Sequence, residues 1–139
     1  WCHGAVDARR ALDSALVVCG DGAPVAAVRV EQMVAWRMAA HCELAVLSAC
    51  NAGVAHGDTS EESGEYVSLA ASLLYAGARC VVAPLCTVPD ATTALLIGKF
   101  YEVYFSSGDD DGADVVRRAV RALHAAQQWL RRASRNDVR

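Results

Sequence analysis

The chain has 139 residues, of which 54% are hydrophobic and 21% are charged, and its formal net charge is −3. This length and composition predict one compact globular domain, residues 1–139, and exclude a disordered chain. The net charge and the lack of a basic stripe with interleaved aromatic residues argue against a nucleic-acid partner. No apolar run reaches the roughly 18 residues of a membrane-spanning helix, which argues against a membrane partner.

The six cysteines do not form the pattern of a disulfide framework or a metal site. Several lie in or beside apolar runs, where a free cysteine behaves as a small hydrophobic residue, and no Cys-x-x-Cys pair is present. We therefore expect no metal and a reduced, cytoplasmic chain. Arginine accounts for all but one of the 13 basic residues, which is typical of high-GC bacterial coding. The start at Trp1 is interpreted as a sign that the chain is part of a longer protein.

In the first half of the chain, residues 15–19 form a short apolar run that is closed by Gly20-Asp21-Gly22, and this predicts a buried strand ending in a turn. Helical spacing of apolar residues predicts a helix over 29–40. The run 44–48 predicts a second strand. Residues 51–63 are small, polar and acidic, which is typical of a surface loop.

In the second half, a helix is predicted over 65–76 with Gly77 just past its end, followed by a strand over 80–83. Pro89-Asp90 favours the start of another helix, and a last helix is predicted over 113–132. Its arginines are interpreted as a solvated face. The residues expected to face inward on these three helices are Leu69, Leu73 and Ala76, then Leu96, Phe100 and Tyr104, then Val116, Val120, Leu123 and Leu130.

This alternation of strands and helices predicts an α/β fold with a parallel sheet covered by helices. Reactive groups of such sheets gather beyond the carboxyl ends of the strands. Cys50 comes just after the second predicted strand, and the loop after Ala83 leaves the end of the third. We therefore expect both to lie at one edge of the sheet.

Cys50 is the candidate nucleophile, because small residues surround it in the sequence and permit close approach of a substrate backbone. A thiolate nucleophile needs a base and backbone donors for the oxyanion that it creates. His3 lies 47 residues upstream beside Gly4, and a spacing of about 50 is typical of caspases. His56 is the alternative base, since its loop follows Cys50 directly. His41 and His124 are placed less suitably.

Four motifs in the same order carry a resemblance to a known family. They are Trp1-Cys2-His3-Gly4, LAVLSACNAG at 44–53, Gly64-Glu65, and LLYAGARCVVA at 73–83. The similarity extends to Phe100-Tyr101 and to the stretch from Ala122 to Leu130. With these motifs the chain resembles CHAT domains, the caspase-like peptidases that are often joined to tetratricopeptide repeats.

The resemblance implies a caspase-like α/β/α sandwich with a mostly parallel sheet, here truncated at both ends. It also implies a Cys–His dyad with Cys50 as nucleophile and His3 as general base, and an oxyanion hole made by the backbone N–H groups of Gly4 and Cys50. No cofactor is implied. The implied partners are a protein substrate and flanking repeat or sensor domains.

The chain departs from the family pattern at Ala52, where threonine is usual, and over 86–90, where CTVPD replaces a WPVDD-like run that helps to shape the substrate pocket. Ala49, Asn51 and Asp90 are the candidate substrate-binding residues. Asp90 could attract a basic P1 side chain, or it could serve the helix dipole alone. These departures keep open an inactive scaffold that binds partners. A nucleotide-binding domain is disfavoured, because no glycine-rich phosphate loop follows a strand.

Overall fold

A computed structural model describes residues 2–5, 11–20, 23–38, 41–49, 68–106 and 114–133. Five strands and four α-helices lie within these ranges, together with a short 3₁₀ turn over Ala11–Asp13. The strands are β1 (Cys2–Ala5), β2 (Ala15–Gly20), β3 (Ala23–Arg29), β4 (Leu44–Val46) and β5 (Cys80–Val82). The helices are α1 (Val30–Val34), α2 (Leu69–Tyr75), α3 (Asp90–Ser106) and α4 (Val115–Arg132).

The described strands form two sheets of different kinds. The first has the order β1-β2-β3 and is antiparallel throughout, and the second is a parallel pair of β4 and β5. The prediction of a mixed α/β fold is therefore confirmed. The prediction of a mostly parallel sheet is wrong for the part of the chain that the structure describes.

The short connection after Gly20 explains why the prediction of a mostly parallel sheet is wrong. Only two residues separate β2 from β3. A parallel neighbour would need a crossover of a dozen or more residues, whereas a two-residue connection joins antiparallel strands. The first predicted strand does end at Gly20, but the next element is β3, a strand that the sequence analysis did not predict.

Helix α1 is much shorter than the helix predicted over 29–40. It begins at Val30, where the backbone N–H of Arg29 donates to Oε1 of Gln32 over 2.8 Å. It ends after Val34, and the N–H of Met38 then donates to the carbonyl of Ala76 over 2.7 Å. The chain after α1 is thus bonded to a residue far away in the sequence, which local spacing alone does not reveal.

Helix α2 confirms the predicted C-terminal end and corrects the predicted start. Ser68 has extended backbone angles and its Oγ accepts a hydrogen bond from the N–H of Ala71, so the helix starts after it and not at Glu65. Gly77 has a φ of 105°, which favours glycine. The N–H groups of Gly77 and Ala78 donate to the carbonyls of Leu74 and Leu73, the pattern of a Schellman motif.

The described chain divides into two compact units, Trp1–Thr87 and Val88–Arg139. The core of the first unit joins side chains from α1, α2 and the region around β4 and β5. Partly buried residues of β2 and β3, Leu16 and Val28, pack against it. The buried members of this core are Val30, Met33, Ala49, Leu69, Leu73 and Ala78. The prediction of a single domain over 1–139 stays a prediction.

The second unit contains α3 and α4, which pack against each other. Phe100 and Tyr104 of α3 are buried, as predicted. On α4 the prediction is wrong for Val116 and Val120, whose side chains are 40% and 62% exposed. The buried face of α4 is made of Val115 and three alanines, whose small side chains permit close helix packing: Ala119, Ala122 and Ala126.

Candidate active site

The carboxyl ends of β4 and β5 form one edge of the parallel sheet. Leu44 pairs with Cys80 and Val46 with Val82, and the N–H of Leu47 extends the ladder with a 2.8 Å hydrogen bond to the carbonyl of Val82. The segments that follow β4 and β5 therefore leave the sheet in the same direction. Cys50 follows four residues after the end of β4 in the sequence, and Cys86 follows four residues after the end of β5.

Ala49 is the last described residue before the candidate nucleophile. Its side chain is only 2% exposed and belongs to the core that Met33, Leu69 and Leu73 help to form. Ser48, immediately before it, is exposed. The chain therefore reaches Cys50 from a position that is fixed by core packing, and Ala49 could contact a substrate only through its backbone.

His3 and Gly4 lie on strand β1, at the edge of the antiparallel sheet. His3 is opposite Val17 and the half-buried Gly4 is opposite Leu16, in register with β2. Among the described strands, β1 pairs with β2 alone. Every second backbone N–H of such an edge strand points away from its neighbour. The backbone of the candidate base is thus ordered by a sheet that the sequence analysis did not predict.

Several predicted site residues lie outside the described part of the chain. These are Cys50, Asn51, the alternative base His56, and the side chain of His3. Gly64-Glu65 lies outside it as well. The dyad of His3 and Cys50 and the oxyanion hole of Gly4 and Cys50 therefore stay predictions.

Asp90 is the first residue of α3 and its side chain is exposed. The N–H of Thr93 donates to the carbonyl of Pro89 over 3.0 Å, and the Oγ1 of Thr93 donates to the same carbonyl over 3.2 Å. A carboxylate in this first turn interacts favourably with the helix dipole. Contact between Asp90 and a basic substrate side chain stays a prediction.

The described residues include no group of three or more His, Cys, Asp or Glu side chains that could hold a metal ion. Cys42 and Cys86 are free thiols, and of these Cys86 is exposed. Within the described ranges, none of the helices has the length and apolar character needed to cross a membrane.

Comparison with family models places the chain in a class of caspase-like peptidases. The CHAT domain model matches residues 1–138, so the chain belongs to the CHAT domain family. The match extends through both compact units and includes the motifs around His3 and Cys50. Comparison with curated proteins and with solved structures gave no significant match.

Proposed function

We propose that the chain is a cysteine endopeptidase domain that hydrolyses peptide bonds in protein substrates, with Cys50 as nucleophile and His3 as general base. The observation that carries the proposal is the CHAT domain match over residues 1–138. The family consists of caspase-like peptidases, and both residues lie within the matched range.

The described structure around β4 supports the role of Cys50. The residues before it leave the carboxyl edge of a parallel strand pair, which is where reactive groups gather in parallel sheets. Because Ala49 is packed in the core, the segment that continues with Cys50 starts from a fixed position. A nucleophile must be held to within a fraction of an ångström to attack productively, and a core anchor one residue away serves that need.

In the proposed reaction, His3 takes the proton of the Cys50 thiol and the thiolate attacks the carbonyl carbon of the scissile peptide bond. The tetrahedral intermediate collapses when His3 donates that proton to the departing amine, which leaves a thioester on Cys50. His3 then takes a proton from water, the resulting hydroxide attacks the thioester, and the acid product leaves as the thiol re-forms.

The oxyanion of each tetrahedral intermediate needs backbone donors, and we assign them to Gly4 and Cys50. The position of Gly4 on an edge strand supports this assignment, because an edge strand has N–H groups that its sheet does not use. The small side chain of glycine also leaves room for the substrate carbonyl.

The proposal includes a reducing, cytoplasmic setting, which would keep a catalytic thiol active. The free thiols of Cys42 and Cys86 support it. It also includes flanking repeat or sensor domains in the parent protein that control access to the site. We also propose that the exposed carboxylate of Asp90 gives the site a preference for a basic P1 residue.

Substitution of Cys50 and His3 in the protein that contains this chain tests the proposal. Cys50→Ala and His3→Ala are each expected to lower kcat/KM for thiol-dependent cleavage by about three orders of magnitude or more. Cys42→Ala is the matched control, since it removes a free thiol that precedes the amino end of β4, at the opposite end of that strand from Cys50, and should leave cleavage unchanged. Full activity in Cys50→Ala would contradict the proposal, and loss on His56→Ala with activity kept in His3→Ala would transfer the base role to His56.

The inactive scaffold remains the competing function, because CTVPD at 86–90 departs from the family pattern. Labelling with low concentrations of iodoacetamide separates the two, since an activated thiolate reacts faster than an ordinary thiol. We expect Cys50 to react faster than Cys86, although Cys86 is exposed. Equal or slower labelling of Cys50, together with no cleavage of denatured protein substrates, would support the scaffold.

A further inference from the structure

Helix α4 has an unusual distribution of charge. Five arginines and no acidic residue lie between Val115 and Arg132, in a chain whose net charge is −3. The exposed basic residues recur at helical spacing and form one stripe, here called the basic stripe: Arg117, Arg121, His124, Arg131 and Arg132. The stripe runs along most of a helix about 27 Å long.

The fifth arginine of α4, Arg118, has a structural role. The guanidinium carbon of Arg118 lies 4.4 Å from the centre of the Tyr104 ring, and its Nη2 donates to the Tyr104 hydroxyl over 2.9 Å. This contact ties α4 to α3. By contrast, no carboxylate or aromatic ring among the described residues contacts the side chains of the basic stripe.

Helix stability accounts for only part of the basic stripe. Arg131 and Arg132 lie in the last turn, where a positive charge interacts favourably with the helix dipole. Arg117 lies in the first turn, where the dipole disfavours a cation, and that turn contains no acidic residue. Arg117 and Arg121 are also four residues apart, a spacing at which like charges repel. Within the helix, which Asp114 precedes at the N-cap, these two arginines are therefore unfavourable.

The exposed valines beside the stripe limit the kind of partner. Val116 and Val120 are one helical turn apart and adjoin the basic row, so the exposed face is part aliphatic and part cationic. A membrane surface would need larger apolar side chains to insert, and those of α4 face inward or are half-buried. A nucleic-acid backbone offers no aliphatic surface to cover the valines. No exposed aromatic residue of α4 is placed to stack on bases.

We propose that the exposed face of α4 binds an acidic protein segment whose carboxylates pair with the basic stripe and whose aliphatic side chains cover Val116 and Val120. Arginine suits this role, because its planar guanidinium forms two parallel hydrogen bonds with a carboxylate. A helix with glutamates at i, i+4, i+7 and i+14 matches the spacing of the stripe. This docking face is independent of the proposed peptidase activity.

A synthetic helical peptide with glutamates at that spacing and leucines beside them tests the proposal, with fluorescence anisotropy of the labelled peptide against the full chain. We expect binding that weakens as salt is added. Arg121→Glu should lower the affinity by about tenfold or more. The matched control is Arg37→Glu, which makes the same charge change at an exposed arginine of the first unit and should leave the affinity within about twofold.

Thermal unfolding of the variants separates lost binding from lost folding. Arg121→Glu removes a like-charge repulsion with Arg117, so its Tm should equal or exceed that of the wild type. Three results would overturn the proposal. They are equal binding of a peptide with glutamine in place of glutamate, equal loss of affinity in the two variants, and tighter binding to duplex DNA or to phosphatidylserine vesicles than to the glutamate peptide.

Discussion

Two phenylalanines of α3 have opposite environments although they are only five residues apart. Phe100 is fully buried and stacks on Tyr104 with ring centres 5.6 Å apart, whereas Phe105 is 74% exposed. The period of four that links Leu96, Phe100 and Tyr104 predicts the buried pair. Phe105 falls one residue beyond that period, on the solvent side. Spacing thus predicts the burial of Phe100 and Tyr104, while Leu96, the third member of the period, is half-buried.

The two side chains should differ in their contribution to stability. Phe100→Ala is expected to lower the free energy of unfolding by about 3–5 kcal/mol, because it removes a buried ring and leaves a cavity. Phe105→Ala makes the same chemical change at an exposed site and should cost under about 1 kcal/mol. Urea denaturation followed by circular dichroism measures both. Where Phe100→Ala is too unstable to purify, Phe100→Leu should cost less, and equal costs at the two sites would contradict the burial assignment.

Residue-scale prediction failed on α4 for a physical reason. Large aliphatic residues such as Val116 and Val120 have the strongest hydrophobicity on this helix, so the sequence analysis placed them inward. The structure buries Ala119, Ala122 and Ala126 instead. Alanine gains little from burial by itself, but it permits closer approach of α3 than a larger side chain would. The choice between the two faces depends on the neighbouring helix, which a single helix does not reveal.

The helix ends show which element boundaries could be predicted. Gly77 and Pro89-Asp90 act through their own backbone and side-chain chemistry, and both boundaries were predicted correctly. The segment after α1, predicted as helix, is instead bonded through Met38 to Ala76, 38 residues away in the sequence. Strand β3 likewise depends on pairing with β2. Boundaries set locally could be predicted, whereas those set by distant partners could not.

Two glycines should respond in opposite directions to the same substitution. Gly77→Ala is expected to lower the free energy of unfolding by about 1–2 kcal/mol, because a side chain disfavours its φ of 105°. Gly98 lies within α3, and an added Cβ would have no atom within 4 Å. Gly98→Ala should therefore raise the free energy of unfolding by about 0.5–1 kcal/mol. Chemical denaturation of both variants checks the signs, and a loss of stability in Gly98→Ala would contradict the open space around it.

At the scale of the whole molecule, family membership was predicted from motifs, whereas the topology was predicted correctly only for the parallel pair of β4 and β5. The motifs around His3, Cys50 and 73–83 and their order can be read directly from the sequence. The CHAT domain match confirms the family that they indicate. The direction of each strand depends instead on the length of its connections, and the two residues between β2 and β3 make an antiparallel pair. The site residues His3 and Cys50 stay predictions that chemistry has to test.

The burial of Ala49 has a consequence for genetic screens of this protein. Under the proposed function, the residue before the nucleophile is held by Met33, Leu69 and Leu73, so substitutions at these core positions displace Cys50 as well as weaken the fold. A random-mutagenesis selection for lost cleavage should therefore return these positions more often than equally buried positions of the second unit, such as Ala122. Sorting the inactive clones by protein abundance would show that some core variants accumulate normally without cleaving, a class that simple unfolding does not produce.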